Sequence, residues 1–193
     1  MKKLLISLAL FLPLAPSAQA TITNFDLIGT AGPGLLPGNE PGSVFGGTGG
    51  EIGAGIFYND ATNLLTINVG WGSSQGFTDL SSLANNSHIH GPTASANGNS
   101  FTQTAGVLLS LTRSSDAVTG GFFTSAPIAL TAPQATQLFD GKFYINLHTA
   151  TNGGGEMRGF LVAAPVPEPA EYAMLLAGLA LVGTIARRRK QMA

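Results

Sequence analysis

Alternation of apolar and polar residues with a period of two is what most limits the folds open to this chain. Leu65, Ile67, Val69 and Trp71 fall on one side of an extended segment, with Thr66 and Asn68 on the other, because successive side chains of a strand point to opposite faces. The turn-rich stretch Asn59-Asp60-Ala61-Thr62-Asn63 joins it to residues 52–58 and predicts a hairpin. Further extended runs lie at 105–113, 117–124, 142–148 and 156–162, and an early strand is expected at 22–28. The glycine-rich stretch 29–55 reads as a long loop. Its part 46–55 reads as a flexible linker rather than a phosphate cradle, because no Gly-x-x-x-x-Gly-Lys pattern occurs. Only 131–139 reads as helix: Thr131 can cap it, Pro133 suits its first turn and Gly141 stops it. Many short strands with turns between them predict an all-β, antiparallel sandwich.

The two ends read as addresses. Lys2 and Lys3 precede an apolar run at 4–14, and Ala18-Gln19-Ala20 supplies the small residues of a cleavage site. That three-part pattern is a secretory signal peptide, removed after Ala20 by signal peptidase. The run is too short to span about 30 Å of hydrocarbon, which disfavours the alternative of an N-terminal anchor. At the other end come Pro167-Glu168-Pro169, an apolar run at 173–186 and the cluster Arg187-Arg188-Arg189-Lys190. Positive charge after the run predicts that this end stays cytoplasmic while the domain lies outside, the precursor being held in the inner membrane by a transient or retained helix. These residues, over 166–190, resemble the PEP-CTERM sorting signal of Gram-negative bacteria, with Ala170-Glu171 where Ser or Thr is usual. The resemblance implies processing by a membrane-bound exosortase, then release or attachment to extracellular polymer at the cell surface. A plain C-terminal anchor is the alternative. The organisation is therefore a signal peptide at 1–20, a β domain at 21–165 and a sorting signal at 166–193.

Without its ends the chain is acidic. Residues 21–165 hold eight acids against Arg113, Lys142 and Arg158, a net charge of -5. All basic clusters belong to the two signals, so no nucleic-acid partner is expected. The chain has no cysteine, which excludes disulfides, thiolate metal sites and thiol nucleophiles. About 145 residues must then be held by their core alone.

The chemistry available is three histidines. His88 and His90, two apart, project from one face of a strand with Ile89 turned away. In the run 142–148, Phe143, Ile145 and Leu147 share one face and Tyr144, Asn146 and His148 the other. If pairing sets His148 opposite Glu156 across the loop 149–155, Asn146 faces Arg158 on the same side. A third imidazole from a neighbouring strand would complete three neutral nitrogen ligands, which suit copper or zinc. Glu156 would be a fourth ligand or orient an imidazole. The alternative has the histidines bonding the backbone of a turn at Gly91-Pro92, and Glu156 with Arg158 as a surface ion pair.

These same residues carry a resemblance. His88-Ile89-His90-Gly91-Pro92, the strand Phe143-Tyr144-Ile145-Asn146-Leu147-His148-Thr149 and Gly154-Gly155-Glu156-Met157-Arg158-Gly159 resemble the CHRD (chordin-type) domain, over about 52–162. The last loop has Asn152-Gly153-Gly154-Gly155 where Asn-Pro-Gly-Gly is usual. The resemblance implies an immunoglobulin-like β-sandwich or barrel with limited similarity to Cu/Zn superoxide dismutases, and no settled activity. In those enzymes a His-x-His pair and a late-strand histidine bind copper, so it implies His88, His90 and His148 as equivalents. The bridging histidine, zinc cluster and disulfide of the dismutases are absent from this sequence, and no dismutase activity is expected. No Gly-x-Ser-x-Gly elbow occurs either. The expected function is a non-enzymatic cell-surface or matrix module contacting exopolysaccharide or another matrix polymer. The alternative is a three-histidine copper or zinc protein.

Overall fold

The structure, a computed structural model, describes residues 21–123, 126–165, 175–182 and 187. The cleavage residues Ala18 and Ala20, and Pro167, Glu168, Pro169, Arg188 and Arg189 of the sorting motif, lie outside these. Arg187 and residues 175–182 are helical and exposed. Among the described residues no helix is long and apolar enough to cross a membrane.

The all-β, antiparallel expectation holds. The strands are β1 (Ile22–Gly29), β2 (Gly32–Pro33), β3 (Gly49–Asn59), β4 (Leu64–Trp71), β5 (Ala84–His90), β6 (Val107–Ser110), β7 (Gly121–Phe122), β8 (Ile128–Ala129), β9 (Tyr144–Thr149) and β10 (Met157–Ala163), with helix α1 (Ala132–Phe139) between β8 and β9. They form a single curled sheet in the order β6-β5-β9-β10-β1-β3-β4-β7, with β2 on β1 and β8 on β4. A bridge between Arg113 and Phe123 ties the segment after β6 to the one after β7, so the two edges of the sheet meet.

The core fills the inside of the curl. Leu65, Ile67, Val69 and Trp71 of β4 are buried against Phe25 and Leu27 of β1, Ile145 and Leu147 of β9, and Leu161 of β10. This is the face the alternation predicts. Trp71 packs on Phe123 at 5.5 Å between ring centroids, and its indole N–H donates to the Ala117 carbonyl. Helix α1 closes one end. The Gln134 side chain accepts from the Thr131 N–H at 2.9 Å, and Phe139 sets its ring edge-on to Tyr58.

Three readings need correction. Residues 49–55 are not linker but the first half of β3, paired with Val69–Trp71 in the order Gly49↔Trp71 and Glu51↔Val69. Glycines carry no side chain to show a period, so the strand was invisible in the pattern. The register slips between Glu51 and Ile56, and Gly53 and Gly55 take positive φ there, the usual chemistry of a bulge. The strand expected at 117–124 shrinks to β7, because Val118 and Thr119 give their carbonyls to Leu80 and Ser74 of a crossing loop. Likewise the run 105–113 pairs as β6 only over Val107–Ser110.

The outer face of β9 and β10 is also covered, which the sequence pattern did not indicate. Tyr144, Asn146, Arg158 and Phe160 are all buried. The short 3-10 turn Pro37–Asn39 and the segment around Phe101 lie across them, Phe101 meeting Phe160 at 5.2 Å.

Candidate metal centre

Antiparallel pairing of β5 with β9 sets His88 opposite Asn146 and His90 opposite Tyr144. His148 then lies diagonal to His88 on the same face, within reach of a long side chain. The β9–β10 register sets Arg158 opposite Asn146 and Met157 opposite Leu147, the pairing that puts Asn146 and Arg158 on one face.

The three imidazoles converge. One ring nitrogen from each of His88, His90 and His148 lies within 4.8 Å of the others, and His88 Nδ1 is 3.1 Å from His148 Nε2. Nitrogens sharing a tetrahedral ion at ordinary bond lengths stand roughly 3.3 Å apart, so small ring rotations suffice. Two backbone carbonyls fix the tautomers: His90 Nδ1 donates to Ala105 at 2.9 Å and His148 Nδ1 to Gly153 at 2.9 Å. Each bond leaves a lone pair on Nε2, as metal-ligating histidines require. His90 Nε2 is buried and has no hydrogen-bond partner among the described residues. The Tyr144 ring lies flat against His90, 2° from parallel at 4.8 Å, and holds it in place.

Electrostatics favour the neutral ligands. Burial, then the positive charges of His148, His90 and Arg113, hold His88 below the ordinary histidine value. Burial also lowers His90, against the opposing pull of the Ala105 carbonyl. A metal binds the unprotonated imidazole, so both groups are poised for it near neutrality.

Glu156 does not join them. Its carboxylate accepts from the Gly47 N–H at 2.8 Å, the Ser81 N–H at 2.8 Å, the Ser81 hydroxyl, the Thr149 hydroxyl at 2.6 Å and Asn152 at 3.1 Å. Burial pushes this carboxyl up, but the bonds outweigh it and leave it below the ordinary range. Its position one residue before β10 turns it toward these loops, so the fourth-ligand reading is corrected to a loop-fastening role. The surface ion pair with Arg158 is corrected too.

Arg158 is fully buried. Its guanidinium donates to the carbonyls of Asn39, Gln103 and Phe101 and lies over the rings of Tyr144 and Phe160 at 5.0 and 5.3 Å. Its nearest carboxylate is Glu40, at 3.9 Å. Asn146 links this pair to the histidine strand by donating to Glu40 Oε1 at 2.6 Å. An arginine inside the apolar run 157–162 was a readable sign of this role. Glu40, set in a glycine-rich stretch, gave none.

Burial raises the Glu40 carboxyl to about 7, although Arg158 pulls it down. A group raised on folding binds its proton in the native state between about pH 4.5 and 7, where the unfolded chain has released it. Its contribution is therefore complete at low pH and lost as pH climbs through 7. The Glu40→Gln variant removes that slope. Between pH 5 and 8 the stability of the unsubstituted domain relative to this variant should fall by on the order of 2 kcal/mol. Paired urea titrations at several pH values measure it, and a constant difference would contradict the assignment.

Comparison with known families gives two matches. The CHRD domain family matches residues 36–161, and the PEP-CTERM protein-sorting motif matches residues 165–190. No curated protein and no solved structure matches the chain. Strand β1 precedes the matched CHRD region, yet it sits between β10 and β3 in mid-sheet, so the folded unit reaches back to Ile22. With the sorting motif come export and processing by an exosortase. Curled antiparallel sheet, histidine-bearing β5 and β9, and a family match over most of its length agree: this chain belongs to the CHRD domain family.

Proposed function

We propose that the exported domain is a non-enzymatic module of the cell surface or extracellular matrix, in contact with matrix polymer, and that His88, His90 and His148 hold one copper or zinc ion. The observation that carries the metal reading is the buried, unpartnered His90 Nε2. A buried acceptor left unpaired costs about 1–3 kcal/mol, and a bond to a cation shared with His148 Nε2 and His88 Nδ1 offsets that cost. Three imidazole nitrogens with no carboxylate in the cluster among the described residues suit copper or zinc better than calcium or magnesium, which prefer oxygen. A surface or matrix role without turnover is supported by the sorting motif and by two families that are not enzyme families.

Proton release tests the metal reading. Three ordinary histidines would release about 1.5 protons per ion at pH 6.5. With burial holding His88 and His90 below the ordinary histidine value, calorimetry in buffers of different ionisation enthalpy should give a value below that. Release of about 1.5 protons or more would contradict the lowering of these histidines, and a titration with no saturable binding would contradict the site. Turnover of superoxide or another substrate at a rate abolished by His148→Ala would overturn the non-enzymatic reading.

A further inference from the structure

Beside the metal centre, a cavity of about 420 Å³ opens between residues 40–44 and the loop 151–155. That volume falls within the range of small-molecule sites. We propose that this cavity is a saccharide subsite that takes a neutral sugar unit of an extracellular polysaccharide. The inference rests on the surface-module reading above and gives its polymer contact a location.

The chemistry of the walls selects the ligand. Glu40 lies at the cavity, but its charge is answered by the fully buried Arg158, so the site favours neither a cation nor an anion. The remaining wall is polar and main-chain rich: Thr151, Asn152 and three successive glycines to Gly155, with Pro41 and Val44 the aliphatic side. Such a mixture of hydrogen-bonding groups around a small apolar patch matches a pyranose, which has hydroxyls around its edge and C–H groups on its faces. The walls are set in advance. Asn152 Nδ2 holds the Phe45 carbonyl at 3.3 Å, Ser81 Oγ at 3.1 Å and Glu156 at 3.1 Å. Gly155, at φ 131°, packs on Glu40 and Asn146 too closely for a Cβ. Phe45 follows the lining residue Val44 in sequence and is 84% exposed. In the proposed subsite this exposed aromatic supplies the flat apolar surface on which a sugar face stacks.

A substitution can block the site without disturbing the fold. Gly154 lines the cavity and a Cβ added there meets nothing within 4 Å, so Gly154→Phe adds a bulky ring at the wall without a clash, while the Gly153 carbonyl still holds His148. The exported protein would be run by affinity electrophoresis in gels containing dextran, galactomannan, xyloglucan or alginate. The expected result is retardation by at least one neutral polysaccharide and not by alginate. Gly154→Phe should abolish the retardation with unchanged thermal midpoint and metal content, and Phe45→Ala should weaken binding about tenfold. If Gly154→Phe is retarded as strongly as the unsubstituted protein, the subsite is wrong while polymer contact stands. Retardation by alginate alone overturns the neutral-sugar assignment. No retardation by any of the four overturns both the subsite and the polymer contact.

Discussion

Replacing Arg158 by methionine is expected to destabilise the domain by about 3–5 kcal/mol, the range for breaking a buried charge pair by removing one partner. Methionine keeps much of the side-chain length and its contact with Tyr144 and Phe160. It leaves the carbonyls of Asn39, Phe101 and Gln103 without their donor and Glu40 without its neighbouring cation. Those acceptors belong to two loops far apart in sequence that close over the outer face of β10, so one side chain fastens both. Urea unfolding measures the loss. A change below about 1 kcal/mol, the scale of a surface pair, would mean that the loops hold themselves. Because Asn146 joins Glu40 to the strand that carries His148, the variant should also weaken metal binding in whatever fraction stays folded.

The second large effect separates ligand from structural histidine. His90→Phe keeps a flat ring against Tyr144 and removes the buried Nε2 that has no partner. The metal-free variant should gain about 1 kcal/mol of stability, since an unsatisfied buried acceptor disappears. The Ala105 carbonyl loses the imidazole donor but keeps the Tyr144 hydroxyl, at 3.3 Å. Metal affinity should meanwhile drop by on the order of a hundredfold or more, beyond the effect of losing an outer partner. Thermal melts and metal titration on one preparation give both values. A structural histidine would behave in the opposite way, with stability lost and metal uptake unchanged.

The sequence carried the site's frame further than its surroundings. Alternation in 142–148 put Phe143, Ile145 and Leu147 inward, and a two-residue spacing put His88 and His90 on one face. Both hold because strand geometry alone dictates them. The β9–β10 register could be stated from the sequence only as a condition, and the pairing of Asn146 with Arg158 meets it. Convergence of His148 with the pair needed β5 to lie beside β9, a contact across some sixty residues that no local pattern encodes. Glu156 shows the limit in the other direction. A carboxylate near a histidine in sequence looked like a ligand, but its place at the strand entry gave it Gly47, Ser81 and Thr149 as partners instead. The glycines at 49–55 hid half a strand because a residue without a side chain has no face to show. Burial of the outer face came from loops 37–39 and 101–103, whose course depends on Arg158 itself.

Metal content of the mature domain, residues 21–165, tests the central claim most directly. The domain would be exported to the periplasm, purified without tags or added metal, and measured by elemental mass spectrometry beside the His88→Ala/His90→Ala variant. The account predicts about one copper or zinc per chain, absent from the variant while both stay folded. A folded domain with no bound transition metal after growth in metal-replete medium, or one whose metal persists in the variant, would contradict it.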